Sequence, residues 1–356
     1  MKIVVFRAFR DPYRTSMKLY ADAIERRVSP WLAPGETLVA EELPSPRLGG
    51  GWRRYWDQYV RYQRYARAHG GDVNHIVDHG YGHLLNSLPP GRTIVTFHDP
   101  VVVQGPGVNW RTRRAFDYSM RATRRAAAIV CLSEASKRDV RALIDVPQDR
   151  VHVIPMGIDE AFRPSPDRQA VRRRLGLSGD VVLMVGHTQG YMNVERMIRA
   201  FGQLVSHHGS QATLVKVGLP FTPEQTRLIA ELELADRVRM VGRVPFVDLP
   251  SYYHAADVLL YAPLLAGFGL PPLEAMACGT PVVASRRGAI PEVVGDGGIL
   301  VDADDEAAMA DAMAEMLTQP KRRRRLVERG FERAARFEWT QASRALLELY
   351  RTVARG

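Results

Sequence analysis

The chain has 356 residues, 46% apolar and 25% charged, with 49 lysines and arginines against 39 aspartates and glutamates and a formal net charge of +10. That length suits two domains better than one core, and no apolar run approaches the roughly 18 residues of a membrane span. Two cysteines, Cys131 and Cys278, are too few for a disulfide framework and sit in apolar runs, so they read as buried thiols.

The arginine-rich balance favours anionic partners: phosphorylated small molecules, acidic lipid surfaces or nucleic acid. No zinc-finger spacing, ribonucleoprotein motif or isolated basic tail is present, so nucleic acid is set aside. The opening "MKIVVFRAFRDPYR" has a short apolar run broken at once by charge. It reads as a first strand rather than a secretory signal, and the expected location is the cytoplasm.

Taken in chain order, short β-branched runs alternate with helical periodicity. The first set is "KIVVFRA" (2–8), "TLVAEEL" (37–43), "VNHIVD" (73–78), "TIVTFHD" (93–99), "AAIVCLS" (127–133) and "VHVIPMG" (151–157). A Pro-containing stretch at 157–168 interrupts the rhythm. The second set is "DVVLMVG" (180–186), "ATLVKVG" (212–218), "VRMVGR" (238–243), "DVLLYAP" (257–263), "PVVASR" (281–286) and "GILVD" (298–302). Continuous apolar strands separated by helices predict parallel sheets covered on both faces, and two sets predict two doubly wound α/β domains. Ligands then belong at the carboxyl ends of the strands, in a cleft between the domains.

Between the strands, "WRRYWDQYVRYQRYARAH" (52–69) places Trp52, Tyr55, Trp56, Tyr59 and Tyr62 on one helical stripe. Packing on the neighbouring sheet is the expectation, with a membrane surface or an acceptor as the alternative. His75, His79 and His83 are four apart, but "NHIVD" reads as a strand, so no metal site is expected there. The tail 337–356 predicts an amphipathic helix with Trp339, Ala342, Leu346, Leu349 and Val353 on one side.

The run "LLAGFGLPPLE" (264–274) carries the most chemistry. Gly267 and Gly269 allow close backbone approach, and Pro271-Pro272 lead into a helix expected to begin near Leu273. Free N–H groups at such a helix start attract phosphate. Glu274, in that expected first turn, is either an acid favoured by the helix dipole or a group that accepts both hydroxyls of a ribose.

The segment "YAPLLAGFGLPPLEAMACGTPVVASRRGAIPEVVGDGGILVD" (261–302) resembles the donor-binding core of the retaining glycosyltransferases of family four, which have the GT-B fold. "VTFHDP", "LSEASKRDV", "VIPMGIDEAFRP", "NVERMIRAF", "DRVRMVGRV" and "YYHAADVLLYAP" match in order, from about residue 73 to the end. The resemblance implies two doubly wound Rossmann-like domains facing each other across a cleft. Residues 1–165, completed by a helix at 338–356, would form the acceptor side, and 166–337 would bind the nucleotide-sugar.

By the same resemblance Glu274 would hold the ribose. The backbone of Gly267, Phe268, Gly269 and Leu270 would face the sugar and pyrophosphate, and Arg243 and Val244 would lie beside the base. His98 would reach over the donor sugar, with a structural histidine as the alternative.

Three positions depart from the family. Ala266 stands where a glutamate contacts the transferred sugar. His187 and Met192 stand where an arginine and a lysine neutralise the leaving diphosphate, a loss that matters because charge-assisted bonds there act on the transition state. A protonated His187 with Lys216 is the expected replacement, with Arg7, Arg10, Arg14 and Arg243 as further candidates.

The resulting expectation is a metal-independent, retaining transferase using a nucleotide-diphosphate-sugar as co-substrate, with Ala266 reading either as room for an atypical donor or acceptor or as a sign of lost catalysis. Its acceptor would be a small molecule, a glycan or a lipid-linked group, with peripheral contact at the inner membrane face as a further option. The alternative is a catalytically degenerate homologue that acts as a non-catalytic partner protein.

Overall fold

The computed structural model describes residues 1–9, 15–44, 52–100, 109–165 and 167–356. Arg10 and Arg14, two of the candidate cations, lie outside the described residues. The chain divides into two units, one formed by Met1–Gly157 with Glu338–Gly356 and the other by Ile158–Phe337.

The first unit is built on β1 (Lys2–Phe6), β2 (Thr37–Glu41), β3 (Val73–Ile76), β4 (Thr93–Phe97), β5 (Ala128–Cys131) and β6 (Val151–Val153). They form one sheet in the order β2-β1-β3-β4-β5-β6, with every pairing parallel. All residues of β3, β4 and β5 are buried, which is why those runs show no polar alternation. From β1 the chain steps out to the edge strand β2 and returns to β3 on the far side, so strand order reverses between β1 and β3.

The helix Trp339–Arg355 belongs to this unit, and its predicted inner stripe is buried throughout. It is tied to the sheet through a polar group inside the core. His75 in β3 shares hydrogen bonds of 2.7 Å with Tyr350 Oη through Nδ1 and 2.7 Å with Thr96 Oγ1 through Nε2. Burial drives the His75 pKa down to about 3, so the ring is neutral, donating through one nitrogen and accepting through the other.

The second unit carries β7 (Val181–Gly186), β8 (Thr213–Gly218), β9 (Val238–Gly242), β10 (Val258–Tyr261), β11 (Val282–Ser285) and β12 (Ile299–Val301). Their order is β12-β11-β10-β7-β8-β9, again wholly parallel. The chain runs outward from β7 through β8 to β9, then crosses back to β10 on the other side of β7. Order therefore reverses between β7 and β10, the doubly wound arrangement in which ligands meet the carboxyl ends of those two strands.

One predicted element differs. The segment 52–69 is helical, but a π-helical turn at Asp57–Arg61 interrupts it. The wider turn takes Trp52, Tyr55 and Trp56 off the face on which Tyr62 and Ala66 are buried, so these three rings are exposed instead of packed on the sheet. Among the described residues no helix is long and apolar enough to cross a membrane.

Candidate functional site

The reversal point of the second sheet is laced together by hydrogen bonds between the loops that leave β7 and β10. Asn193, held in the left-handed region at φ 59°, donates through Nδ2 to Ala262 O at 3.0 Å and Ala303 O at 2.7 Å. Asparagine tolerates that backbone conformation better than most side chains. The Leu264 amide donates to Tyr191 O at 2.8 Å, joining the two loops a second time. Gln225 Nε2 donates to Thr188 O at 3.1 Å and Glu195 Oε1 at 2.8 Å, which fixes the start of the β7 loop.

Lys216 is the one charged residue in the β8 run, and it is buried. Its Nζ donates to Gly186 O at 2.6 Å and Val217 O at 3.1 Å, at the carboxyl ends of β7 and β8. Burial lowers its pKa from 10.5 to about 8. The two strand ends approach closely: a Cβ on Gly218, whose φ is +119°, would meet Gly186 O at 2.2 Å. Glycine is therefore required there, and the Gly186 carbonyl is held where the ammonium reaches it.

His187 follows directly, in surroundings that work against the expected cation. Burial, and then the positive charges of Arg243 and Lys216, hold its pKa below the ordinary histidine value, so all three favour the neutral ring. Its Nδ1 is buried without a hydrogen-bond partner among the described residues. Met192 is buried as well. His187, Lys216 and Arg243 thus share one electrostatic neighbourhood at the carboxyl ends of β7, β8 and β9. Arg243 is exposed and Val244 half-buried.

The loop after β10 differs in one respect from its sequence reading. The helix runs Leu270–Cys278, three residues earlier than expected, with Gly269 as its N-cap at φ 115°. Pro271 and Pro272 therefore lie inside the first turn and have no N–H to offer. Leu270 alone among those three residues retains an amide donor, so the helix start itself offers fewer free N–H groups than the sequence suggested. The Phe268 ring is turned into the protein, edge-to-face with Phe337 at 5.8 Å. Ala266 O accepts from Ala289 N at 3.0 Å, which pins the mouth of the loop.

The earlier helix start puts Glu274 in the second turn, where it is buried and accepts a 2.6 Å hydrogen bond from Tyr253 Oη. Burial raises its pKa to about 7 against the lowering effect of that hydrogen bond, with Asp159 adding a smaller upward push. The carboxyl is thus poised near neutrality. Tyr253 carried no sequence signal beyond its place on the apolar side of the helix Leu249–Ala255, because its contact with Glu274 is tertiary.

In the first unit His98 follows β4 and is buried. Its Nε2 lies 2.7 Å from Val77 O, a group that only accepts, so Nε2 carries a proton and Nδ1 is the ring nitrogen left for a ligand. Ser136 Oγ donates to the His98 carbonyl at 2.7 Å, and the Tyr20 ring meets the imidazole edge-to-face at 5.4 Å. Arg7, a further candidate cation, has its guanidinium paired with Asp22 and Glu25. Among the described residues no group of three or more His, Cys, Asp or Glu side chains could hold a metal ion.

The sequence and the fold have counterparts among known proteins. Residues 20–162 match the family described as Glycosyltransferase Family 4, and residues 167–333 that described as Glycosyl transferases group 1. The chain belongs to the GT-B-fold glycosyltransferases related to family four.

Particular relatives include the D-inositol 3-phosphate glycosyltransferase of Acidothermus cellulolyticus, 39% identical over 230 residues that make up 60% of this chain and 51% of that protein. The same-named protein of Frankia alni is 37% identical over 223 residues, 59% of this chain and 54% of that protein. The alignment thus spans about half the length of these relatives.

Among solved structures, sucrose-phosphate synthase from Thermosynechococcus elongatus superposes with a TM-score of 0.83 at 22% identity over 99% of each chain. Anabaena Alr3699/HepE, solved with UDP and glucose, gives 0.79 at 17% identity, over 99% of this chain and 100% of that one.

Proposed function

We propose that this chain transfers a sugar from a nucleotide diphosphate donor to an acceptor hydroxyl, with retention at the anomeric carbon. The observation that carries the reading is Glu274: a buried carboxyl on the helix that follows the Gly-Phe-Gly loop, at the sheet's reversal point, oriented by Tyr253. Ionised, it accepts the two ribose hydroxyls. The Lys216 ammonium, with Arg243 in the same neighbourhood, supplies positive charge toward the diphosphate where His187 and Met192 supply none. The loop amides around Gly269 and Leu270 add donors.

The step is a same-face displacement. The bond from the anomeric carbon to the phosphate oxygen breaks, the acceptor oxygen bonds to that carbon, and the acceptor proton passes to the leaving phosphate. His98 Nδ1 is the first unit's acceptor for a sugar hydroxyl. The step calls on no metal, so a chelator should leave turnover unchanged.

The similarity to D-inositol 3-phosphate glycosyltransferases and to a structure holding UDP and glucose supports this reading. Calorimetry with uridine and guanosine diphosphates on the wild type and on Glu274→Ala tests it. The wild type should bind at least one of them and the variant should bind at least about tenfold more weakly. Product masses from a donor screen then report transfer.

A second reading, a non-catalytic partner protein, draws on a neutral His187 and a buried Met192 at the two positions that carry cations in the family. Binding of no nucleoside diphosphate would favour it.

A further inference from the structure

Nine large hydrophobic side chains are conspicuously exposed among the described residues, and five of them, Trp52, Tyr55, Trp56, Trp110 and Tyr118, lie on two helical segments of the first unit. Trp52 is 71% exposed and Trp110 64%. The segments are joined by a row of rings. Tyr55 stacks on Tyr59 at 6.0 Å, and Tyr59 meets Tyr118 edge-to-face at 5.9 Å. Below the row, His83 bonds Ser119 Oγ at 3.1 Å and Gln58 O at 3.0 Å, so the two segments are cross-braced.

Charge is concentrated on the same two segments. Residues 52–69 and 109–125 hold eleven arginines and two aspartates, close to the whole formal net charge of +10. One of those aspartates, Asp57, is buried and accepts from Arg61 at 2.8 Å. Arginines also flank the exposed indoles. Arg53 lies 5.6 Å from the Trp52 ring, and Arg111 and Arg114 lie 5.3 and 5.8 Å from that of Trp110.

We infer that this face docks on an anionic phospholipid bilayer, with the indole and phenol rings at headgroup depth and the guanidinium groups on lipid phosphates. Tryptophan and tyrosine suit that zone because each has an apolar body and a polar edge. A row of arginines complements a negatively charged leaflet and binds phosphate through paired N–H groups. The π-helical turn at Asp57–Arg61 is what presents Trp52, Tyr55 and Trp56 outward while Tyr62 remains in the core. This inference stands apart from the transfer reaction and needs no donor.

The test is co-sedimentation with vesicles of phosphatidylcholine alone or with about 30 mol % phosphatidylglycerol. Tryptophan emission is followed in parallel, and melting temperatures check that each variant is folded. The wild type should sediment with the anionic vesicles only, with a blue-shifted emission, and should be released by about 0.5 M salt.

Arg53→Glu/Arg111→Glu/Arg114→Glu and Trp52→Ala/Trp56→Ala/Trp110→Ala should each weaken binding by about tenfold or more. Equal binding to neutral vesicles, or undiminished binding by folded charge-reversal protein, would overturn the inference. So would absent vesicle binding combined with self-association that the tryptophan variant abolishes, since the face would then join copies of this chain.

Discussion

The Tyr253 hydroxyl donates to Glu274 Oε2 over 2.6 Å, with both side chains buried. A charged-state hydrogen bond and a low-dielectric setting act on the same carboxyl in opposite directions, and burial prevails, raising its pKa to about 7 from 4.5. The native state then holds this proton more tightly than the unfolded chain does. The stabilisation is fully present below the ordinary glutamate value and is lost as pH rises through about 7. Wild-type stability should therefore fall between pH 5 and 8, by on the order of 3 kcal/mol from this group. Glu274→Gln should flatten that limb in urea titrations across the range. An unchanged slope in the variant would show that the carboxyl ionises like an exposed one.

Lys216 has the opposite relation to folding. Burial lowers its pKa to about 8, so the native state releases this proton more readily than the unfolded chain, and stability should rise as pH climbs from 8 toward 10.5. A bound diphosphate would favour the ammonium. Nucleoside diphosphate binding at pH 8 should therefore take up a fraction of a proton, seen as different calorimetric heats in buffers of different ionisation enthalpy. Lys216→Met should abolish the difference and weaken binding about tenfold. Equal heats in both buffers for the wild type would remove Lys216 from the diphosphate site.

His98 offers Nδ1 because Nε2 is committed to Val77 O. His98→Ala should cut turnover by about tenfold to a hundredfold while donor affinity changes little, since the lost contact serves orientation. It should also cost about 1 kcal/mol of stability through the lost bond to Val77. Steady-state kinetics beside a denaturant curve separates the two effects. A proportional loss of affinity would instead make His98 a donor-binding group.

Replacing Tyr350 by Phe leaves His75 Nδ1 unpaired inside the first unit. The expected cost is about 1–3 kcal/mol, read as a lower urea midpoint. A midpoint within error of the wild type would mean that the core supplies another partner.

The central strands of both sheets were legible because a strand buried on both faces writes an unbroken apolar run into the sequence, whereas the partly exposed edge strands β2, β9 and β12 were read from their β-branched residues and their place in the alternation. In the sequence Lys216 is only a candidate replacement for the missing phosphate ligands, and its burial between two strand ends is a tertiary fact. The helix start at Leu270 was misread because Pro271-Pro272 look like a lead-in, whereas proline is also tolerated in a first turn. The π-helical turn left no trace in the period of the aromatic stripe, since a single wide turn shifts the face without changing composition. Tyr253 and Glu274 meet only through folding across 21 positions, and the His187 pKa is lowered by burial first and then by Arg243 and Lys216, all of which arise only in the fold.

The first unit leaves off at Gly157 and resumes at Glu338, and its returning helix supplies Leu346, Tyr350 and Val353 to its core. On the ribosome, residues 158–337 can finish folding while the earlier half still waits for its last piece. The half that is begun first is thus closed last. A nascent chain halted before residue 338 would present an apolar sheet face that this helix has yet to cover, a surface a chaperone can hold until the helix emerges.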